Sequence, residues 1–173
     1  YISMKKSILA VALLLITSVS VFTACSKNKV TTKLDIQLTD NPFNAQEVNV
    51  DIKEVRVSFS DDLSGWVTLN TFAGVYNLLG LQNGLDTLIA SATVTTGTVK
   101  EIGFILGSNN SIKINDVVLP LTIPSGSERG LKITINKKLA VGFDSLLIDF
   151  DAALSILQVG TGDFKLKPVL KLK

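Results

Sequence analysis

Two aspartates near the end of the chain have the spacing of a chemical site. Asp149 and Asp151 alternate with Ile148 and Phe150, and residues two apart in a strand point to the same side, about 7 Å from each other. Two unpaired carboxylates so placed repel each other, which raises a pKa or recruits a cation. Asp40, in a Leu-Thr-Asp turn, is a candidate third ligand for calcium, which prefers oxygen. The sequence favours the plainer alternative, in which the pair lies on a solvated strand face or pairs with lysine and Asp40 only caps its turn.

A carboxylate pair is also the machinery of a glycosidase, whose two acids stand roughly 5 to 9.5 Å apart. Side-by-side acids on one strand do not flank a substrate bond, however, and only 6% of the residues are aromatic. The chain has no histidine and one cysteine, which excludes Ser-His-Asp catalysis, zinc sites of His and Cys, and a C-x-x-C redox pair. We therefore predict a non-catalytic protein with no cofactor beyond the calcium considered above. The alternative is a carboxylate-dependent hydrolase acting on envelope or extracellular glycans.

A single tryptophan is the other candidate for binding. Trp66 follows the turn Asp61–Gly65, and its ring could stack on a sugar, with Phe72 and Tyr76 as a wall. A lone tryptophan after a turn more often packs into a core with its N–H satisfied, and the sequence favours that interpretation. The ligand classes that we expect are therefore a glycan or an envelope protein. Nucleic acid is not expected, because the chain has no basic stripe interleaved with aromatic residues.

The first twenty-five residues have the pattern of an export signal. Lys5 and Lys6 precede the apolar run Ile8–Val21, which is too short for a membrane span of about 20 residues. The run closes on Phe-Thr-Ala-Cys, which is similar to the site where a bacterial signal peptidase cuts before a lipid-modified cysteine, here between Ala24 and Cys25. The only cysteine of the chain thus stands at the one position that lipidation requires. We predict a signal peptide over 1–24, a lipidated tether over 25–32 and one domain over 33–173.

The charge distribution agrees with this division. The net charge is +2, and both surplus positive charges, Lys5 and Lys6, fall in the predicted signal peptide. The tether contains Lys27 and Lys29 and lacks the acidic run that directs some lipoproteins to the cell surface. We therefore expect a palmitoylated lipoprotein of the bacterial cell envelope, held by its N-terminal lipid at the outer membrane and facing the periplasm.

Alternation of apolar and polar residues predicts that the domain is all-β. Turn signals rich in Asn, Asp, Gly and Pro separate the runs, and we expect an antiparallel β-sandwich of Greek-key or prealbumin-like type. Only two short helical turns are predicted, near Tyr76–Leu81 and Ala152–Leu157. The apolar members of the runs include Leu34, Ile36, Leu38, Val48, Val50, Ile52, Val55, Val57, Phe59, Ile102, Phe104, Leu106, Ile112, Ile114, Leu131, Ile133, Ile135, Ile148, Phe150, Phe164, Leu166, Leu170 and Leu172.

Four local signals add detail to this prediction. The alternation changes phase at Lys53-Glu54, which indicates a bulge or a bend between sheets. Asn115-Asp116 predicts a tight hairpin. Pro168 cannot donate to a ladder, so we expect the last strand, over 164–172, to be an edge or to pair on one side only at the proline. The apolar segment Val117–Ile123 is either a buried strand or an edge that pairs with another chain, and its proline favours burial.

These motifs, taken in order, resemble the bacterial lipoprotein domain of unknown function DUF4382 over nearly all of the chain beyond the tether. The resemblance implies a β-sandwich lipoprotein of the cell envelope and no known activity. Where the family tends to carry an aromatic residue and then an arginine after a glycine, this chain has Gly97, Val99 and Gly103, so a ligand contact by that arginine is not expected. The matching pieces are Leu38-Thr39-Asp40-x-Pro42, Val48-Asn49-Val50, Trp66, Leu78-Leu79-x-Leu81-x-Asn83-Gly84, Pro124-Ser125-Gly126, Gly130-Leu131-Lys132, Asp149-Phe150-Asp151-Ala152, Ser155-Ile156 and Gly162-x-Phe164-x-Leu166-Lys167-Pro168-Val169.

Overall fold

A computed structural model describes residues 29–41, 43–61, 65–124, 130–160 and 162–173. The predicted signal peptide, its cleavage site at Ala24 and Cys25, and residues 62–64 of the turn before Trp66 lie outside the described residues. The strands are β1 Thr31–Thr39, β2 Glu47–Ser58, β3 Trp66–Thr68, β4 Asn70–Thr71, β5 Gly74–Asn77, β6 Thr87–Thr95, β7 Thr98–Leu106, β8 Ser111–Ile114, β9 Val117–Thr122, β10 Leu131–Lys138, β11 Gly142–Phe150, β12 Ile156–Val159, β13 Asp163–Leu166 and β14 Leu170–Leu172.

Strands dominate these residues, so the prediction of an all-β fold is confirmed. The two predicted helical turns are a 3-10 turn at Leu78–Leu81 and a single α-helical turn, α1, at Ala152–Ser155. No helix in the described ranges is long and apolar enough to cross a membrane.

The strands form two sheets that pack as a sandwich. One sheet has the order β14-β11-β1-β6-β4, and the other has β10-β7-β2-β8-β9-β13-β12, with β3 and β5 also paired to β2. Alternate side chains of each strand reach the core because successive residues point to opposite faces of a sheet. The inward residues of β1 and β2 are fully buried: Leu34, Ile36, Leu38, Val48, Val50 and Ile52.

One part of the fold prediction is wrong, because the sandwich is not wholly antiparallel. Strand β1 pairs in parallel with β11, from Thr32 opposite Gly142 to Thr39 opposite Asp149, and β13 pairs in parallel with β9. Strands far apart in sequence have no hairpin to fix their relative direction, and the alternation of apolar and polar residues is the same in parallel and antiparallel strands. The parallel pairing brings the carboxyl ends of β1 and β11 to the same edge of the sheet.

The local signals within β2 and the β8–β9 hairpin are confirmed. The register of β2 against β7 shifts between Ile52 and Glu54, where the alternation changes phase. The hairpin turns at Asn115 and Asp116, whose φ angles are 50° and 63°. Two consecutive left-handed residues are the conformation of a type I′ turn, which matches the twist of the flanking strands.

The expected last strand is in fact two strands in different sheets. β13 ends at Leu166 and pairs with β12 and β9, whereas β14 begins at Leu170 and pairs with β11. Pro168 lies in the segment that crosses between the sheets, where no ladder hydrogen bond requires the N–H that proline lacks. β14 ends its sheet's strand order, so the expectation of an edge holds for this piece.

The preference for burial of the segment Val117–Ile123 is wrong. Val117 and Val118 are 54% and 63% exposed, and Leu121 is the buried residue of β9. β8 pairs along β9, whereas β13 pairs only with Leu121 and Thr122. An apolar run can reflect β-propensity as well as burial, and here it forms the outer end of the β8–β9 hairpin.

Candidate functional site

The parallel ends of β1 and β11 bring the three predicted carboxylates to one place. Asp40 follows β1, Asp149 lies in β11 and Asp151 follows β11, and they are 2%, 0% and 6% exposed. We call these three residues the carboxylate cluster. Asn41 joins two of them, since its Nδ2 donates to Oδ2 of Asp149 at 2.9 Å and to Oδ2 of Asp151 at 3.2 Å.

The carboxylate cluster is not a solvated strand face, which corrects that part of the plainer alternative. Asp149 points away from the core-facing Ile148 and Phe150, as expected, but two lysines and Asn41 cover it. Lys171 Nζ lies 3.2 Å from Oδ2 of Asp149 and 3.3 Å from Oδ2 of Asp151. Lys173 Nζ lies 3.4 Å from Oδ2 of Asp149. The lysine pairing in the same alternative is therefore present.

Asp40 and Asp151 also accept backbone hydrogen bonds that fix the local chain. Asp40 Oδ1 accepts from the Ala152 N–H at 2.9 Å and Oδ2 accepts from Gln82 Nε2 at 3.2 Å. Asp151 caps α1 by accepting from the Leu154 N–H at 3.1 Å. The cluster thus connects the ends of β1 and β11 to α1, and its lysines connect it to β14 and the chain end.

The contacts of the cluster shift three pKa values. Burial raises the pKa of Asp40 in spite of its hydrogen bonds. Burial would also raise the pKa of Asp151, but hydrogen bonds from Leu154, Asn41 and Lys171 outweigh it, so that this pKa is lowered. Hydrogen bonds to Asp149 and Asp151 raise the pKa of Lys171. The arrangement therefore favours an ionised Asp151 carboxylate held by an ionised Lys171.

No three acidic or cysteine side chains in the described ranges converge closely enough to hold a metal ion. The lysine ammonium groups stand where a cation would neutralise Asp149 and Asp151. Within the described ranges, Oδ1 of Asp149 is buried and has no hydrogen-bond partner. Calcium binding at Asp40, Asp149 and Asp151 stays a prediction, and this geometry is that of a structural connection between strand ends.

Trp66 does not pack into the core, so the favoured interpretation of this residue is wrong. It pairs with Ser58 on β2, and cross-strand partners share one face of a sheet. That face is opposite to the buried Val55 and Val57. The ring lies over Gly103, where an added Cβ would be 3.0 Å from the indole Cζ3, and the Arg56 guanidinium stands 5.2 Å from its centroid.

Tyr76 cannot form a wall beside Trp66, because the two residues lie on opposite faces of the sheet. Tyr76 pairs with Val50, a fully buried residue, and packs against the core. Its hydroxyl donates to the carbonyl oxygen of Phe72. A glycan-binding role for Trp66 stays a prediction that no longer involves Tyr76.

A cleft of about 490 Å³ opens where two neighbouring ladders are interrupted. β7 and β8 both pair with β2, and the segment Gly107–Asn110, which connects them, belongs to neither strand. β9 pairs with β8 and β10 pairs with β7, so the gap continues into the next strands. The cleft is lined by residues from both sides of the gap, among them Leu106, Ser108, Asn110, Pro120 and Thr122.

A buried carboxylate that sequence reasoning did not single out fixes the rim of this cleft. Asp51 is 0% exposed; its backbone carbonyl accepts from Gly107 N–H at 2.8 Å, and its Oδ2 accepts from the Asn109 N–H at 3.2 Å. Lys53 Nζ lies 2.9 Å from Oδ1. The alternation of β2 places Asp51 opposite Val50 and Ile52, but no local signal reveals the loop that covers it.

The fold and these surfaces define a β-sandwich domain with an ion-paired structural cluster and two surface features, the cleft and the Trp66–Arg56 pair. Residues 31–168 match the domain of unknown function DUF4382. Because this match covers most of the chain, the protein belongs to that family, as the resemblance indicated. Neither a curated protein nor a solved structure gives a match.

Proposed function

We propose that this protein is a lipid-anchored protein of the bacterial cell envelope, and that its β-sandwich is a non-catalytic binding or structural module. The observation that carries the proposal is the position of Cys25, the one cysteine of the chain. It follows a basic start, an apolar run and two small residues, as a lipid-modified cysteine does. A triacyl group provides the several buried chains that stable membrane attachment requires.

The family match supports this division of the chain, since it begins at residue 31, two residues before the predicted start of the domain at 33. We place the protein at the outer membrane, facing the periplasm, with the tether between lipid and sandwich. The ligand that we propose is a glycan or an envelope protein. The outer-face Trp66 and the cleft beside Asn110 are the surfaces that support a binding role.

A carboxylate-dependent hydrolase is not favoured by a specific observation. A hydrolase of this kind needs one acid with a raised pKa and one ionised carboxylate, both open to a substrate. Asp149 and Asp151 share Asn41 and Lys171 as partners and are buried. These contacts support a structural role for the pair.

Acyl labelling tests the anchor. Wild-type protein expressed in a Gram-negative host should take up labelled palmitate and fractionate with membranes. Cys25→Ala should lose both properties, because no other thiol is available, whereas Ser26→Ala should keep them. A wild type without label, together with a Cys25→Ala variant that still fractionates with membranes, would refute the anchor.

A further inference from the structure

We propose that Arg56 and Trp66 bind a carboxylate-bearing sugar of an acidic glycan. Together with Gly103 these residues form what we call the outer-face platform. The proposal deepens the proposed function, since a glycan is one of its two ligand classes. It is independent of the lipid, because the platform lies within the sandwich.

The platform is assembled from three neighbouring strands. Arg56 of β2 pairs with Thr68 of β3 on one side and with Gly103 of β7 on the other. Partners in register lie on one face, so the side chains of Arg56 and Trp66 meet above Gly103. A Cβ added at Gly103 would lie 3.1 Å from Arg56 Cγ and 3.0 Å from Trp66 Cζ3. The glycine therefore lets the indole and the arginine stem approach the backbone closely.

The guanidinium of Arg56 has N–H donors without a recorded acceptor among the described residues. It carries five N–H groups. Its Nε is buried and has no hydrogen-bond partner among the described residues, so the donors that a ligand could use are those of the two terminal nitrogens. Within the described part of the chain, the guanidinium has no recorded hydrogen bond or ion pair; it lies over the Trp66 ring, and its Nη2 is 3.1 Å from the position of a Cβ added at Gly130. Lys132, which also pairs with Gly103, differs because its ammonium lies 3.3 Å from Glu101. Of the two cations that pair with Gly103, Arg56 is thus the one without a carboxylate partner among the described residues.

The guanidinium of Arg56, with its planar, forked set of N–H donors, and the aromatic ring of Trp66 together select the ligand. Because Nε is buried, a ligand carboxylate would accept from the two terminal nitrogens at once, a bidentate geometry that guanidinium groups favour. An indole offers a flat apolar surface beside that fork, which fits the C–H face of a pyranose. An acidic peptide would satisfy the arginine but not the ring. A carboxylated pyranose, a hexuronate, uses both groups, and we therefore favour it.

Fluorescence provides a direct test because Trp66 is the one tryptophan of the chain. The full chain, solubilised in a non-ionic detergent, is titrated with oligogalacturonate at low salt. We expect saturable quenching or a spectral shift that weakens as salt is added. Fully methyl-esterified oligogalacturonate, which keeps the sugar but not the charge, should bind at least about tenfold more weakly. Inorganic phosphate and poly-glutamate should not compete at equal charge.

Variants separate recognition from folding. Arg56→Lys keeps the charge but loses the fork, and should weaken oligogalacturonate binding at least about tenfold with little change in Tm. Lys165→Met, which removes a cation from β13, should bind as wild type does. Trp66→Phe, followed by calorimetry, should also bind more weakly.

Three results would overturn the proposal. The first is no binding at millimolar oligogalacturonate, and the second is equal binding of the esterified form. The third is competition by poly-glutamate at equal charge, which would favour an acidic peptide. Because palmitate labelling at Cys25 is measured on the same protein, failure of the platform and failure of the anchor are distinguished.

Discussion

The ammonium group of Lys171 lies 3.2 Å from Oδ2 of Asp149, a carboxylate whose side chain has no exposed surface. The same nitrogen lies 3.3 Å from Oδ2 of Asp151. One cation on β14 thus pairs with two carboxylates at the end of β11, and Lys173 is a second partner of Asp149 only, so loss of Lys171 leaves Asp151 without a cation among the described residues. Removal of one partner from a buried ion pair leaves the other charge uncompensated, which is costly. The stability of the sandwich should therefore depend on Lys171.

Lys171→Met should lower Tm by several degrees at neutral pH and should also change the alkaline limb of the stability profile. The folded-state pKa of Lys171 is raised above its usual 10.5 by hydrogen bonds to Asp149 and Asp151. The stability that Lys171 contributes is therefore complete below pH 10.5 and is lost as the pH rises through the folded-state pKa. Urea midpoints measured from about pH 9 to about pH 12 should fall more steeply for wild type than for the variant.

The matched control for this prediction is Lys165→Met. Lys165 is exposed and forms none of the recorded ion pairs of the described residues. Its removal should leave both Tm and the alkaline slope close to those of wild type. If Lys165→Met and Lys171→Met behave alike, the ion pair does not stabilise the fold.

Asp151→Asn should flatten the acid limb of the stability profile. The folded-state pKa of Asp151 is lowered from 3.8 because its hydrogen bonds outweigh its burial. Its contribution is present above pH 3.8 and is lost as the pH falls through the folded-state pKa, so wild type should lose stability there and the variant should lose less. Asparagine is as good an N-cap as aspartate, so the cap on the Leu154 N–H should persist.

Acid denaturation monitored by circular dichroism measures this difference. Asp163→Asn is the control, because Asp163 is exposed and has no recorded ion pair or side-chain hydrogen bond in the described part of the chain. Its acid limb should match that of wild type. An Asp151→Asn limb as steep as the wild-type limb would contradict the prediction.

The features that the sequence predicts well are those set by neighbours along the chain. The bulge at Ile52–Glu54 and the turn at Asn115-Asp116 follow from a phase change and from residues that tolerate left-handed backbone. Alternation also assigns Asp149 correctly to the face opposite Phe150. These signals need no knowledge of which strands become partners.

The features that the sequence does not predict depend on partners distant in the chain. Alternation is identical in parallel and antiparallel strands, so the pairing of β1 with β11 is invisible, and with it the cover that Asn41 provides over Asp149. The prediction that Trp66 packs into the core is wrong for a related reason. Its ring rests on Gly103, which is two strands away, and a lone tryptophan has the same local sequence whether it packs inward or lies on an outer face.

Calcium should leave the stability of wild type unchanged. The ammonium groups of Lys171 and Lys173 already lie within 3.4 Å of Asp149, and a bound calcium ion would have to displace them. Melting curves in millimolar calcium and in chelator should therefore coincide. A ligand at a hundredfold excess over its Kd adds about 2.7 kcal/mol, so a real site would be evident. A rise in Tm that disappears in Asp149→Asn/Asp151→Asn would establish the calcium site instead.

Gly107→Ala should destabilise the protein through the buried carboxylate that supports the cleft. A Cβ at position 107 would lie 2.1 Å from Oδ2 of Asp51, closer than atoms can approach, so the carboxylate or the 107–110 loop must move. Overpacking of this kind costs about 1–3 kcal/mol. Gly74→Ala is the control, since nothing lies within 4 Å of an added Cβ there, and its urea midpoint should stay close to that of wild type. If the two variants have the same midpoint, the contact between Asp51 and Gly107 does not hold the rim of the cleft in place.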